Sequence, residues 1–354
     1  AQGGIQGGNW NAGHLLLKAH ELSPKETETA EVVIIGGGIA GLSAGRELRK
    51  RGISDFLLLE LESREGGNAI CGANDVSPYP WAAHYVPIPG EEAVFVRELF
   101  EELGVTERYD AKGLPVYNEY YLCADPQERL FLNGQWQEGL IPQFGVPDQD
   151  HEQIKAFQKA MQVFRAARGS DGRRAFAIPV DLSSRDERYR KYDVLSMEQY
   201  LSQNGWDSKY LRWYVNYCCR DDYGCTLENT SAWAGIHYFA SRDGRAANAE
   251  SHAVLTWPEG TGWLAGKIAT PFRENICPNA CVLNVENRSA GVVVDYLDGK
   301  RGIPVRVKAK AAIYAAPRFT ALRAVADFRK QRPAYADHFS YAPWMVANVT
   351  VNGM

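Results

Sequence analysis

The chain has 354 residues, with 39 Lys and Arg against 43 Asp and Glu, a formal net charge of -4 and 45% hydrophobic residues. That length accommodates two domains of ordinary size, each with a buried core. The charge balance gives no electrostatic reason to expect nucleic acid or an anionic membrane as a partner. No apolar run approaches the roughly 20 residues needed to cross a bilayer, so a soluble globular chain without a membrane span is expected.

The sequence opens Ala1-Gln2 without Met, and a Gly-, Asn- and Glu-rich stretch precedes the first strand. A removed secretory signal leaves such a start, and so does trimming. A periplasmic or secreted location is the expectation, with the cytoplasm as the alternative. The seven cysteines, Cys71, Cys123, Cys218, Cys219, Cys225, Cys277 and Cys281, lack paired CxxC spacing, so no metal site is expected. Cys277 and Cys281 are spaced for a small disulfide loop in an oxidising compartment; buried free thiols are the plainer reading.

In chain order, Glu31-Val-Val-Ile-Ile35 is a short apolar run ending in glycines, as a buried parallel strand is. Ile39 to Arg51 reads as a helix closed by Gly52, and Phe56 to Glu60 as a second apolar strand, together one βαβ unit. Glu91–Leu103 reads as a helix with Phe95, Leu99 and Leu103 on one face. Ile154, Phe157, Met161 and Phe164 repeat at helical spacing, and Ser196-Met-Glu-Gln199 has the form of a capping box. Strand patterns return at Cys281–Val285, Gly291–Tyr296, Val305–Lys308, Ala311–Ala315 and Trp344–Val351.

The chemistry begins at Gly36-Gly37-Gly38-Ile39-Ala40-Gly41, which matches GxGxxG through Gly36, Gly38 and Gly41 and sits between the strand and the helix. Gly36 permits the tight turn, Gly38 lets a pyrophosphate approach the backbone, and Gly41 allows close helix–strand packing. The amides of Ile39 and Ala40 then open the helix toward the phosphates. Glu60, 19 residues after Gly41 and followed by Leu61, stands where a carboxylate accepts hydrogen bonds from ribose hydroxyls.

The motif does not separate FAD from NAD. Leu59-Glu-Leu-Glu-Ser-Arg-Glu-Gly-Gly-Asn68 resembles the acid, spacer, Arg, Gly-Gly signature of the flavin amine oxidases, phytoene desaturases and protoporphyrinogen oxidases. The resemblance implies FAD as cofactor, with Arg64, Gly66, Gly67 and Asn68 beside it; many members have Arg where this chain has Asn68. Pro80-Trp-Ala-Ala-His-Tyr85 resembles the small-residue turn that faces the flavin ring, which places Ala82 and Ala83 there. Val282-Leu-Asn-Val285 resembles the segment whose first backbone groups, at Val282, meet the adenine. Ala311 to Pro317 resembles the strand returning to the nucleotide-binding sheet, with Ala316 and Pro317 at the cofactor, and Thr256 to Leu264 the Gly-rich stretch before it.

For catalysis the resemblance implies that the flavin carries the redox chemistry, so no protein nucleophile is expected. His84 and Tyr85 fall on the turn facing the ring, where a histidine orients substrate or adjusts its protonation; a histidine satisfied by backbone is the alternative. Aligning Tyr341–Asn348 with the family's late strand puts Asn348 at the position of the lysine that meets the flavin N5 through water. Aromatic residues between 206 and 239 suit a substrate cation or an apolar substrate, or simply a core.

The fold expected is α/β: an FAD-binding Rossmann-type (GR2-like) domain with an inserted mixed helical/β substrate domain. The expected division is an extension at 1–30, the first part of the FAD domain at 31–90, a mostly helical substrate or cap region at 91–250, the second part at 251–320, and the start of a substrate-domain strand region at 321–354. The family's closing Gly-Asp segment and helix have no counterpart after Pro317, so the C-terminal part of the FAD domain is expected to be absent from this chain. A second polypeptide supplying it and a truncated chain are both open. The function expected is FAD-dependent oxidation of an amine or amino acid, a small-molecule substrate, with electrons passed to oxygen or another acceptor. Desaturase- or protoporphyrinogen-oxidase-like oxidation of a C–C bond and a non-catalytic FAD-binding subunit are the alternatives.

Overall fold

The computed structural model describes residues 3–17, 22–125, 127–250 and 252–351. It divides into two compact units. One comprises Ala1–His84, Trp257–Ser340 and Met345–Met354; the other comprises Tyr85–Thr256 and Tyr341–Trp344.

In the first unit a short helix, α1 (Trp10–His14), is followed by β1 (Glu26–Ile35), α2 (Ile39–Lys50) and β2 (Phe56–Glu60). A small hairpin, β3 (Cys71–Ala73) and β4 (Pro78–Pro80), comes next. After the second unit's segment the chain returns with α3 (Gly262–Ala269), β5 (Ile276–Pro278), β6 (Ala280–Arg288), β7 (Gly291–Asp298), β8 (Ile303–Tyr314), α4 (Arg318–Ala324) and α5 (Ala326–Lys330). Six strands form one sheet in the order β5-β2-β1-β8-β7-β6. β1 is central and parallel to both β2 and β8, β5 runs parallel to β2, and β7 runs antiparallel to β8 and β6.

Composition explains this order. Val33, Ile34, Leu58 and Leu59 are almost fully buried, as strands covered on both faces must be. The antiparallel edge instead alternates buried Val292, Val294 and Tyr296 with more accessible positions. The two patterns read as separate strands at 305–308 and 311–315 are one 12-residue strand, β8. Lys308 and Lys310 point outward from it while Val307 and Ala309 are buried, and the single parallel ladder to β1 runs from Val305 to Tyr314.

Two further expectations fail in physical terms. Trp344–Val351 is an exposed coil, not a strand; among the described residues no strand follows Tyr314, and α4 and α5 follow it, separated by an extended Val325. Its apolar residues include Trp344, 67% exposed, and Met345, 87% exposed, so they have no sheet to alternate against. In the helix Val94–Glu102 of the second unit the buried residue is Phe100, whereas Phe95 is 71% exposed.

The second unit buries one aromatic-rich core. Phe157 meets Trp206 and Phe239 edge-on, and Phe164 meets Phe176 and Tyr192. The helix Asp148–Ala166 presents Ile154, Phe157 and Met161 to this core. Ser196 forms the expected capping box with Gln199 at the start of the helix Met197–Gln203. All seven cysteines are free thiols.

Candidate dinucleotide cradle

The turn between β1 and α2 is built by glycines that no other residue replaces. Gly36 has φ +100°, and a Cβ there would lie 2.9 Å from the Ala316 nitrogen. A Cβ on Gly41 would lie 1.8 Å from the Gly36 carbonyl oxygen, so the helix sits on the turn with no space for a side chain. Gly38 differs. Its φ of -71° suits any residue, and the nearest atom to its virtual Cβ is the Gly67 Cα at 3.8 Å. No neighbour in the fold requires glycine at that position.

Around this opening the chain gathers donors. Gly38 is the N-cap of α2, and no side chain caps the helix or puts an acid in its first turn, so its positive end is not neutralised from within. The exposed Ile39 and Ala40 stand at that end. Glu60, at the C-terminal end of β2, is 6% exposed. Its Oε2 accepts the Gly37 amide at 2.5 Å and its Oε1 the Glu62 amide at 2.7 Å. Each oxygen keeps a lone pair for a further donor. Burial pushes this carboxyl above the usual glutamate range, partly opposed by those two amides.

The Gly-Gly turn lies directly on the glycine loop. The Gly66 amide donates to the Gly37 carbonyl at 2.8 Å, and a Cβ on Gly67 would come within 3.0 Å of the Gly38 Cα. Both glycines have positive φ, +131° and +55°. Asn68 continues the link, its carbonyl accepting the Ala83 amide at 3.2 Å. Ala83 in turn accepts the Thr261 amide at 3.1 Å and the Thr261 hydroxyl at 2.9 Å. The turn containing Ala82 and Ala83 is thus tied to the Gly-Gly turn on one side and to the Gly260–Gly262 segment on the other.

The candidates fall into three groups. Gly36, Gly38, Ile39, Ala40, Gly41, Glu60, Gly66, Gly67 and Ala316 converge on one opening, and Pro317 follows as the N-cap of α4. Leu61 follows Glu60, and Val282 lies on edge strand β6, four residues beyond Pro278, which pairs with Glu60. Arg64 is held by its neighbours: its guanidinium donates to the Cys71 carbonyl and lies over the Trp81 ring at 5.7 Å.

The three catalytic candidates are His84, Asn348 and Tyr85. His84 is exposed, with Nδ1 3.0 Å from the Ala82 carbonyl oxygen. Asn348 lies in coil rather than on the expected strand; its amide donates to the Pro80 carbonyl at 2.7 Å, just before the flavin-facing turn of the resemblance. Tyr85 belongs to the second unit, where it hydrogen-bonds Arg242 and burial raises its phenol. Arg242 also donates to both oxygens of Asp222, at 2.8 and 3.0 Å, and lies over the Tyr238 ring at 4.2 Å.

Sequence reasoning missed Trp81. Its indole Nε1 is buried without a hydrogen-bond partner among the described residues. A buried orphan donor costs about 1–3 kcal/mol, which a bound acceptor would remove. Nothing in the sequence marks that nitrogen as unsatisfied.

With the geometry in place, comparison with known proteins is informative. An NAD(P)-binding Rossmann-like domain matches residues 34–103. Over 276 residues the chain is 25% identical to a Mycobacterium tuberculosis (strain ATCC 25618 / H37Rv) protein described as "Putative flavin-containing monoamine oxidase AofH". That alignment takes in 75% of this chain and 53% of the relative. Putrescine oxidase with putrescine bound superposes with a TM-score of 0.55 at 17% identity, over 84% of this chain and 60% of that one. The fold is that of the amine oxidases. A fatty acid isomerase from P. acnes shares it, with a TM-score of 0.53 at 18% identity over 85% of this chain and 63% of that one. The chain therefore spans about half the length of the curated relative it matches.

An uncapped helix end, a Gly38 that the fold does not require, a buried carboxylate at Glu60 and an unpartnered indole N–H at Trp81 are a donor and acceptor set that fits FAD.

Proposed function

We propose that the chain acts in the FAD-dependent oxidation of an amine or amino acid. The observation that carries this reading is Gly38, whose Cβ position has room for a methyl, its nearest neighbour being the Gly67 Cα at 3.8 Å, beside a buried Glu60 and the paired Gly66-Gly67 turn. A glycine that the fold itself does not need is explained by a ligand approaching its backbone. The homology to a flavin-containing monoamine oxidase supports the reaction class.

When bound, FAD supplies a two-electron acceptor for a substrate C–H bond and returns the electrons to oxygen or another acceptor. The chain's own work is to hold and orient. The α2 amides stabilise the phosphate charge, Glu60 fixes the adenosine sugar, and Trp81 offers its buried N–H at the ring end. His84, exposed on the same turn and bonded through Nδ1 to the Ala82 carbonyl, is the proposed substrate-facing histidine.

The test is anaerobic titration of FAD-loaded protein with primary amines, diamines and amino acids, followed by flavin absorbance. Bleaching by an amine or amino acid is the expected result. The isomerase's shared fold favours a second reading, chemistry at a C–C bond of an apolar substrate. Bleaching or conversion only with unsaturated fatty acids or polyenes would replace the amine reading with that one.

A further inference from the structure

Residues ahead of the Rossmann strand are packed against the adenosine end of the cradle. The Asn9 amide donates to Glu62 Oε1 at 2.7 Å, two residues beyond the ribose carboxylate Glu60. Gly8 lies against the same oxygen: a Cβ there would be 3.4 Å from it. Gly13 faces the Leu61 side chain, whose Cδ2 would be 3.7 Å from a Cβ at that position. On the other side the Cys281 thiol donates to the Ala12 carbonyl at 3.3 Å, one residue before Val282. Asn9 also caps α1 through its own side chain, which accepts the Ala12 amide at 3.0 Å.

These contacts straddle the two elements expected to hold the adenosine, the end of β2 and the start of β6. The contacting faces are small: Gly8, Ala12 and Gly13 bring the backbone close, and Trp10 stays 66% exposed on the outer side. The segment therefore reaches Glu62 and Cys281 through its backbone, at Asn9 and Ala12.

We propose that residues 8–16 form a clamp over the adenosine half of the bound dinucleotide, fastened by Asn9 to Glu62 and by Ala12 to Cys281. The clamp rests on the FAD reading above and adds a retention role for a segment that lies outside the Rossmann motif. A cofactor seated under it leaves only after the segment lifts, so release is limited by breaking those fastenings.

The experiment measures FAD release from loaded protein, by the rise of free-flavin fluorescence after rapid dilution. Two full-length variants break one fastening from opposite sides. Glu62→Ala removes the acceptor, leaving that residue's backbone bonds to Glu60 and Asn279 in place. Asn9→Pro removes the donor at a φ of -76° that proline adopts, and with it the Asn9 side-chain cap on α1. At least tenfold faster release in both variants, with unchanged melting of the apoprotein, is expected. Parental release in both overturns the clamp. Fast release in Glu62→Ala with parental release in Asn9→Pro also overturns it, assigning the effect to the lost charge beside Glu60. Parent protein that takes up no FAD overturns the cofactor reading itself.

Discussion

Gly37 and Gly66, 29 residues apart, are joined by a 2.8 Å hydrogen bond from the Gly66 amide to the Gly37 carbonyl. That bond brings two glycine turns together, with room for a methyl at the Gly38 Cβ position, which meets nothing closer than the Gly67 Cα at 3.8 Å. The arrangement separates glycines the fold needs from one it does not need.

The separation predicts opposite behaviour for two alanine substitutions. Gly41→Ala drives a methyl into the Gly36 carbonyl 1.8 Å away, so the turn must move. It is expected to destabilise the first unit by about 3 kcal/mol or more, within the range of severe backbone and overpacking effects. Gly38→Ala meets nothing closer than 3.8 Å and keeps an ordinary φ, so apoprotein melting should stay within about 1 kcal/mol of the parent. Its FAD affinity should fall at least tenfold. Thermal denaturation and flavin titration on the same samples check both, and a Gly38→Ala protein that binds FAD normally would remove the main support for the cradle.

Glu60 predicts a pH dependence. Burial raises its folded pKa above the unfolded glutamate value of about 4.3, so between the two values the folded chain holds more protons than the unfolded one. Stability from this group is therefore present below that window and declines as pH rises through it. The apoprotein melting temperature should show this component, and Glu60→Gln should remove it. FAD binding should also weaken in the variant, because one carboxylate oxygen becomes a donor facing the Glu62 amide. A melting profile of the same slope in parent and variant would contradict the assignment.

Much of the cradle was legible because glycine spacing encodes backbone geometry directly. Gly36, Gly38 and Gly41 announce a turn, an approach and a close packing, and Glu60 follows at the end of a strand whose apolar run has fixed ends. The Gly66-Gly67 contact was legible only through resemblance; no periodicity connects it to Gly37. Side-chain destinations were less accessible. The sequence names Arg64 but not its partners, the Cys71 carbonyl and the Trp81 face. The Trp344–Val351 pattern misled because alternation signals a strand only where a neighbouring strand completes the ladder, and the sequence does not reveal that neighbour.

Arg242 and Asp222 of the second unit form a partly shielded ion pair, with side chains 26% and 31% exposed. Arg242 is further held by the Tyr238 face and by Tyr85, so removing the carboxylate strands a guanidinium among aromatic rings. Asp222→Asn is expected to cost about 1–3 kcal/mol, the cost of losing a hydrogen bond to a charged group. Denaturant titration measures it. A loss below about 0.5 kcal/mol would place the pair among surface bridges of little consequence.

His237 sets an acid limit for the same unit. Its Nε2 lies 2.8 Å from the Ala177 carbonyl, an oxygen that only accepts, so this nitrogen carries the proton of the neutral ring. The ring stacks on Trp233 at 5.2 Å, and burial holds its pKa below the ordinary histidine value of about 6.5. Here the unfolded chain binds the extra proton first, so stability rises with pH through the window below about 6.5 and is lost as pH falls through it. His237→Gln should flatten that acid limb of the melting curve, at the expense of some stability at neutral pH from imperfect packing against Trp233. If the acid limb persists unchanged in the variant, the titrating group lies elsewhere and the stacked imidazole is not what limits the unit in acid.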